Sequence, residues 1–377
     1  MKNVLVIGAG RIGQCIAQLL SQSGQYQVTI ADAVKAALNE NCNKQIKKLH
    51  LDVHQAKKLK QALVGKDAVL SATSFNENPI IAEAALVAGV SYFDLTEDVA
   101  TTKAIRVLAK KAKKGQIFMP QCGLAPGFVG ILASDISKRF DSVHTLKLRV
   151  GALPEFPSNQ LMYNLTWSTE GLINEYCNPC EAVKGGKYAE LRPLEGHETF
   201  SLDGVDFEAF NTSGGLGTLC ETLAGQVEDL TYKTIRYPGH RYLMDFLIHG
   251  LRLGESKDRR ALLKQIFETS IAVTHQDVVI VFVTATGMQQ NKLIQLSEYY
   301  RVYHGSYDNS DWSAIQITTA SSICAVLDMH FQGQLPGKGF VRQEDVCFES
   351  YIHNPFCKPY LQGNHRKHRI AQQHAGK

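Results

Sequence analysis

An apolar run, Val4-Leu5-Val6-Ile7, breaks into Gly8-Ala9-Gly10-Arg11-Ile12-Gly13, after which Ile12, Ile16, Leu19 and Leu20 recur at helical spacing. No other feature of the chain restricts its fold as much. The β-branched run reads as a strand buried on both faces, which places it in a parallel sheet covered by helices on either side. Each glycine of the turn has its own task. Gly8 permits the tight bend, Gly10 lets the backbone approach a pyrophosphate, and Gly13 lets helix and strand pack closely. The helix start, with Arg11, Ile12 and Gly13 in its first turn, offers N–H groups and a partial positive charge to phosphate oxygens. A G-x-G-x-x-G between a strand and a helix is a dinucleotide cradle.

The next strand, Tyr26 to Asp32, ends on a carboxylate 19 residues beyond Gly13. An acid there accepts hydrogen bonds from both ribose hydroxyls of adenosine and repels a 2′-phosphate, so the expected cofactor is NAD rather than NADP. Strand and helix patterns keep alternating. Residues 46–52, 67–73, 91–98 and 116–121 read as strands, and 54–63, 79–89 and 101–114 as helices. The result is a doubly wound sheet of about six parallel strands. Ligands bind such sheets beyond the carboxyl ends of the strands, which puts Thr73, Ser74, Phe75, Asp94, Glu97 and Asp98 on the functional rim. Each of them also reads as an ordinary loop residue.

From residue 122 the pattern changes. Residues 143–154, 277–287, 292–305 and 312–319 read as long strands of an antiparallel kind, and helices are expected near 239–251 and 258–270. This describes an α+β substrate domain. The small-residue stretch 319–333 reads as a helix that returns to pack on the first domain. The expected boundaries are 1–127 for the dinucleotide domain, 128–317 for the substrate domain, 318–350 for the returning segment and 351–377 for a flexible basic tail.

A length of 377 residues suits two domains, and a net charge of +4 is too small to suggest nucleic acid as a partner. Nine cysteines, an odd number, point to free thiols in a reducing cytoplasm. The first strand begins too close to Met1 for a signal peptide or a membrane span to precede it. Cys177-Asn178-Pro179-Cys180 has C-x-x-C spacing but lacks a second ligand pair and a strand–helix context, so no metal is expected.

The segments "VLVIGAGRIG", "SYFDLTED", "CGLAPGF", "VGALP", "YNLTWSTEGLINEY", "FNTSGG" and "YKTIRYPGH" occur in that order. Together they resemble the saccharopine dehydrogenase family over roughly residues 1 to 345. The resemblance implies a Rossmann domain, an α+β domain that pairs with a second subunit as a homodimer or higher oligomer, and a C-terminal helix returning to the first domain. It also implies hydride transfer between a nicotinamide cofactor and the ε-carbon of a lysine-derived amine.

Three positions divide the family. Glutamate-forming saccharopine dehydrogenases read G-L-D-P-G where this chain has Gly123-Leu124-Ala125-Pro126-Gly127. They carry a cysteine where it has Val150, and an arginine in an N-R-D-S segment where it has Asn211-Thr212-Ser213-Gly214. Saccharopine has three carboxylates and needs cationic partners, so losing that arginine removes a reason to bind it. Lysine 6-dehydrogenases resemble this chain at all three places. The expected substrate is thus a small amino acid, L-lysine, converted to allysine. Saccharopine, a polyamine-related imine, and a non-catalytic NAD-binding regulator stand as alternatives.

Lysine's ε-ammonium has an ordinary pKa of about 10.4, so a base must remove a proton before hydride can leave. The candidates are Glu97, His240 and Asp94; Asp94 also reads as a cap, and His240 as a helix-start residue bonded to backbone. Arg236, kept in the family pattern, is the expected clamp for the substrate α-carboxylate, against a rival role as an ion pair bracing two domains. Trp167 and Tyr163 wall the aliphatic stem or serve as plain core. Gly214 marks a close backbone approach or a turn.

Overall fold

The first strand takes the central place its sequence implies. The computed structural model describes residues 1–39, 43–307 and 310–371, the side chains of 364–371 excepted. It contains, in order, β1 (Lys2–Ile7), α1 (Arg11–Gln22), β2 (Tyr26–Asp32), α2 (Lys35–Asn39), β3 (Lys47–His50), α3 (Ala56–Leu63), β4 (Ala68–Ser71), α4 (Asn78–Ala88), β5 (Ser91–Asp94), α5 (Val99–Ala109) and β6 (Ile117–Met119). The strands lie parallel in the order β3-β2-β1-β4-β5-β6, and the order reverses between β1 and β4. Val4, Leu5 and Val6 are fully buried, as a strand covered on both faces requires. On one side Leu5, Val69, Tyr92 and Phe118 meet Leu59, Ile81, Ala85 and Ile105 of the helices. Gly89, at φ +75°, closes α4 in the left-handed conformation common after a helix end.

The chain then passes through α6 (Phe128–Ser137), and the second unit begins. The first unit comprises residues 1–131, 306–310 and 316–359; the second comprises 132–305, 311–315 and 360 onward. The second unit carries β7 (Ser142–Pro154), α7 (Thr169–Cys177), β8 (Cys180–Lys184), β9 (Lys187–Leu191), β10 (Glu198–Leu202), β11 (Val205–Asn211), α8 (Leu219–Leu223) and β12 (Val227–Arg236). It continues with α9 (His240–Asp245), α10 (Lys257–Ser270), β13 (Asp277–Gln289) and β14 (Lys292–Tyr303). Its main sheet runs β10-β11-β12-β7-β13-β14, with the β8–β9 hairpin paired to β12. All pairs are antiparallel except β12 with β7. Strands β8 to β12 are not evident from the sequence pattern, because β8 to β10 are short and β9 and β10 lie largely in solvent.

Residues 312–319 are not one long strand: a three-residue strand ends at Trp312 and a helix follows. Helix α11 (Ala314–Phe331) starts inside them, because the Asp277 carboxylate accepts the N–H groups of Ala314 (2.5 Å) and Ile315 (3.1 Å). That cap comes from the start of β13, far away in sequence. Ile315, Ile317 and Thr319 alternate as in a strand, and a helix buried on every face has no 3.6-residue pattern to correct the impression.

Within the first unit, α11 is anchored by the Tyr26 hydroxyl, which donates to Asp328 Oδ1 at 2.5 Å. The strand Gly339–Phe340 then adds in parallel to the free edge of β6 as a seventh strand. The expectation of a flexible tail is corrected for residues 351–371. They complete α12 (Phe348–Ile352) and form α13 (Lys358–Gln362) and a strand, Asn364–Ala371, antiparallel to β14. Tyr351, Cys357 and Tyr360, each fully buried, supply the apolar anchors that the basic composition conceals. Residues 372–377 lie outside the described residues. Among the described residues no helix is long and apolar enough to cross a membrane.

Candidate functional site

Two of the three glycines in the opening turn are required by the protein's own atoms. A Cβ on Gly13 would sit 1.8 Å from the Gly8 carbonyl oxygen, and one on Gly8, at φ +103°, 2.5 Å from that of Ala72. Gly10 differs. It is extended and exposed, and a Cβ there would meet nothing within 4 Å. Its small size keeps space outside the chain open, which fits a pyrophosphate approaching the backbone. Helix α1 has neither a side-chain cap nor an acidic residue in its first turn, so its start can receive an anion. Arg11 is exposed beside it and Ile12 half-buried.

Asp32 braces this turn. Its Oδ2 accepts the Ala9 N–H and its Oδ1 the Val34 N–H, both at 2.7 Å. A carboxylate oxygen can accept more than one hydrogen bond, so ribose hydroxyls can still be bound. Thr73, half-buried, and Ser74, exposed, follow β4 across the point where strand order reverses. An open glycine face, an uncapped helix and a carboxylate at the β2 end together fit a dinucleotide.

The rim beyond β5 and β6 is more tightly organised than its loop character suggests. Asp94 is fully buried. Its Oδ1 accepts the N–H groups of Thr96 (2.9 Å) and Gln121 (3.1 Å), and its Oδ2 the Tyr92 hydroxyl (2.8 Å). Burial pushes its carboxyl up to about 6, against these three donors and with the nearby charge of Glu97 adding to the rise. Asp98 caps α5, accepting the Thr101 N–H at 2.6 Å. Glu97, half-buried, lies between them in the chain.

In the second unit, Arg236 ends β12 with 2 % of its surface exposed. Its Nε donates to the Tyr176 hydroxyl and its Nη1 to the Ile235 carbonyl, both at 2.8 Å. The guanidinium also lies over the rings of Tyr163 and Tyr176, at 5.1 and 5.7 Å. A phenol, a carbonyl and two aromatic faces therefore hold this cation. His240 is fully buried, with Nδ1 2.9 Å from the Leu161 carbonyl and Nε2 3.0 Å from the Tyr176 hydroxyl. A carbonyl only accepts, so Nδ1 carries the proton and Nε2 accepts from Tyr176. Burial, then the Arg236 charge, pushes the imidazole down to about 3. Both nitrogens are thus engaged, Nδ1 by the Leu161 carbonyl and Nε2 by the Tyr176 hydroxyl.

Two members of this cluster carry almost no signal in the sequence. Tyr176 links Arg236 to His240; its one signal is a place on the buried stripe of α7 with Leu172 and Ile173. Glu208 of β11, 4 % exposed, accepts the N–H groups of Arg241 (2.6 Å) and Gly239 (3.2 Å) and faces His197 Nε2 at 3.2 Å. It thereby holds the turn carrying Arg236 and His240. Tyr163 and Trp167 pack with Leu165, Leu172 and Phe210 in one apolar cluster. The Tyr163 hydroxyl and the hydroxyls of Thr166 and Thr212 are buried without a hydrogen-bond partner. Gly214 stands at φ +89°, and a Cβ on Gly215 would strike the Tyr232 ring at 2.2 Å, so Gly215 is packed on that ring. Cys177 ends α7 and Cys180 begins β8, and among the described residues no group of three or more His, Cys, Asp or Glu side chains is arranged to hold a metal.

Residues 4–119 match the family description "Saccharopine dehydrogenase NADP binding domain", and residues 123–362 "Saccharopine dehydrogenase C-terminal domain". The saccharopine dehydrogenase [NADP(+), L-glutamate-forming] of Saccharomyces cerevisiae is 29% identical over 199 residues, 49% of this chain and 43% of that protein. The mitochondrial alpha-aminoadipic semialdehyde synthase of Bos taurus is 26% identical over 195 residues, 49% of this chain and 21% of that protein. The matched regions thus span less than half the length of these two relatives. The fold resembles that of an apo saccharopine dehydrogenase (L-Glu forming) from Saccharomyces cerevisiae, with a TM-score of 0.79 at 16% identity over 98% of this chain and 100% of that one. It also resembles that of a homospermidine synthase from Legionella pneumophila, with a TM-score of 0.65 at 15% identity over 98% and 91%. A nicotinamide-dinucleotide fold followed by a matching second domain along nearly the whole chain makes this protein a member of the saccharopine dehydrogenase family.

Proposed function

We propose that the protein is an NAD-dependent oxidoreductase acting on the CH–NH2 group at the ε-carbon of L-lysine: loss of hydride and a proton gives an imine, which water hydrolyses to allysine and ammonia. The observation that carries the reaction class is the family match over both domains, joined to a glycine turn whose Gly10 face stays open. Preference for NAD rests on Asp32, whose negative charge disfavours a 2′-phosphate. Lysine rather than saccharopine is supported by Ala125, Val150 and Thr212 at the positions that divide the family. Thr212 is 2 % exposed and its hydroxyl lacks a partner, a neutral group where an extra substrate carboxylate would need a cation.

The Gly8–Gly13 turn and Asp32 would hold the dinucleotide, which would supply a hydride acceptor for the carbon bearing the amine. The protein must take a proton from the ε-ammonium and fix the amino acid in one orientation. Glu97, a half-buried carboxylate on the rim that follows β5, is the base in this proposal. Arg236 is the clamp for the α-carboxylate. It stays charged at any working pH, and the His240–Tyr176 pair fixes its plane. Its desolvation is already met in the folded protein, so little reorganisation remains when an anion binds.

The curated relatives favour a second reading, glutamate-forming saccharopine oxidation. Incubation with NAD or NADP and either lysine or saccharopine separates the two. Lysine-dependent reduction of NAD supports the first; glutamate release from saccharopine, without turnover of lysine, replaces it with the second. Inertness toward both amines with intact dinucleotide binding supports a regulator. The eight described cysteines are free thiols, which supports a reducing, cytoplasmic setting. Assembly as a homodimer belongs to the same proposal, and light scattering tests it.

A further inference from the structure

The turn that follows β6 is held by a side chain more than two hundred residues away. Gln343, 1 % exposed, lies beyond the strand Gly339–Phe340. Its Oε1 accepts the Gly127 N–H at 3.2 Å, and its Nε2 donates to Gln121 Oε1 at 3.4 Å. The two residues it joins are the ends of the turn, and both have positive φ: Gln121 at +64° and Gly127 at +139°. Such conformations persist where surrounding structure over-determines them, and they cluster at functional sites. Helix α6 makes room for the amide with a glycine, since a Cβ on Gly130 would lie 1.8 Å from Gln343 Oε1. The network continues from the Gln121 N–H to Asp94 at the carboxyl end of β5, where ligands of such sheets bind.

We propose that Gln343 is a positioning residue: its amide sets the shape of the 121–127 turn and, through it, the alignment of the substrate. This rests on the reading that the β5–β6 rim meets the amine. A core glutamine serving only to fill space would be replaceable by methionine, which has nearly the same volume and neither bond. The amide acts instead as a two-ended brace, one end accepting and the other donating.

The test is Gln343→Met, with Gly130→Ala as a second variant that displaces the amide from the opposite side. Amide hydrogen exchange over residues 121–128, dinucleotide affinity and steady-state kinetics with the active amine are measured on each. Exchange in the turn is expected to quicken, and kcat/KM to fall by about tenfold or more, the scale of one lost hydrogen bond. Dinucleotide affinity is expected to stay within about twofold, since the pyrophosphate and adenosine are held at β1 and β2. Unchanged exchange overturns the proposal. So does faster exchange without a change in kcat/KM, or equal losses of kcat/KM, dinucleotide affinity and Tm, which mark a general packing role. If the wild type oxidises no lysine-derived amine, the substrate reading fails; the exchange measurement then decides whether the amide holds the turn.

Discussion

Two strand-to-helix turns of this protein look alike in sequence and differ in what they leave unsatisfied. Each leaves a strand, contains a glycine at positive φ (Gly8 at +103°, Gly239 at +95°) and opens a helix. At the first, α1 begins without a side-chain acceptor, and Gly10 faces open space. At the second, the Glu208 carboxylate accepts the Gly239 and Arg241 N–H groups. In the proposed function the first turn receives its anion from a dinucleotide; the second carries its anion within the fold. A glycine turn thus marks a ligand site where the donors at the helix start lack an acceptor of their own, and the glycines by themselves do not tell the cases apart.

The largest effect should come from Gly10→Ala. The new methyl meets no protein atom, so Tm should hold within about 2 °C, while dinucleotide affinity drops by roughly two orders of magnitude as the methyl takes the space of the pyrophosphate. Unchanged affinity in a fluorescence titration would break the comparison at its first half. At the second turn Glu208→Ala strips a buried carboxylate from two backbone donors. It should cost about 2–4 kcal/mol in urea unfolding yet leave dinucleotide affinity alone. A loss of affinity as large as the loss of stability would erase the distinction between the two turns. Asp32→Asn keeps the side chain's size while removing its charge and one of its two acceptor atoms. The ratio of NAD to NADP affinity should then move toward NADP by about tenfold, measurable by parallel titrations.

The remaining effects are in pH dependence, and they have opposite signs in the two units. Asp94, pushed up from 3.8 to about 6, binds its proton more tightly folded than unfolded. Its contribution is therefore fully present below about pH 4 and lost as pH rises to 6, and Asp94→Asn should remove that downward slope. His240, pushed down from 6.5 to about 3, binds its proton less tightly when folded. Its contribution grows as pH rises from 3 to 6.5, and His240→Gln should flatten that climb. Urea midpoints at the ends of each range read both slopes, and a slope of the wrong sign would refute the protonation state assigned to that residue.

The first unit is legible because its signals are local. Val4 to Ile7, the three glycines and Asp32 lie within one stretch, and each needs its residue type for a reason that neighbouring atoms supply. The second unit is less so. Tyr176, Glu208 and, in the C-terminal part of the first unit, Gln343 act on partners 31 to 222 residues away, and no spacing rule reaches so far. Asp94 and His240 show the limit from the other side: their residue types suggest proton transfer, whereas buried hydrogen bonds engage their polar atoms. The start of helix α11 reads as a strand for a related reason, since Asp277 supplies its cap from a distant part of the chain.

The seventh strand of the first sheet, Gly339–Phe340, bears on how the molecule is made. The β6 edge can be covered only after the ribosome has made more than two hundred further residues. During translation the nascent dinucleotide unit must wait with that border unpaired, and a stop codon placed before residue 339 would leave a sticky margin ready to recruit other chains.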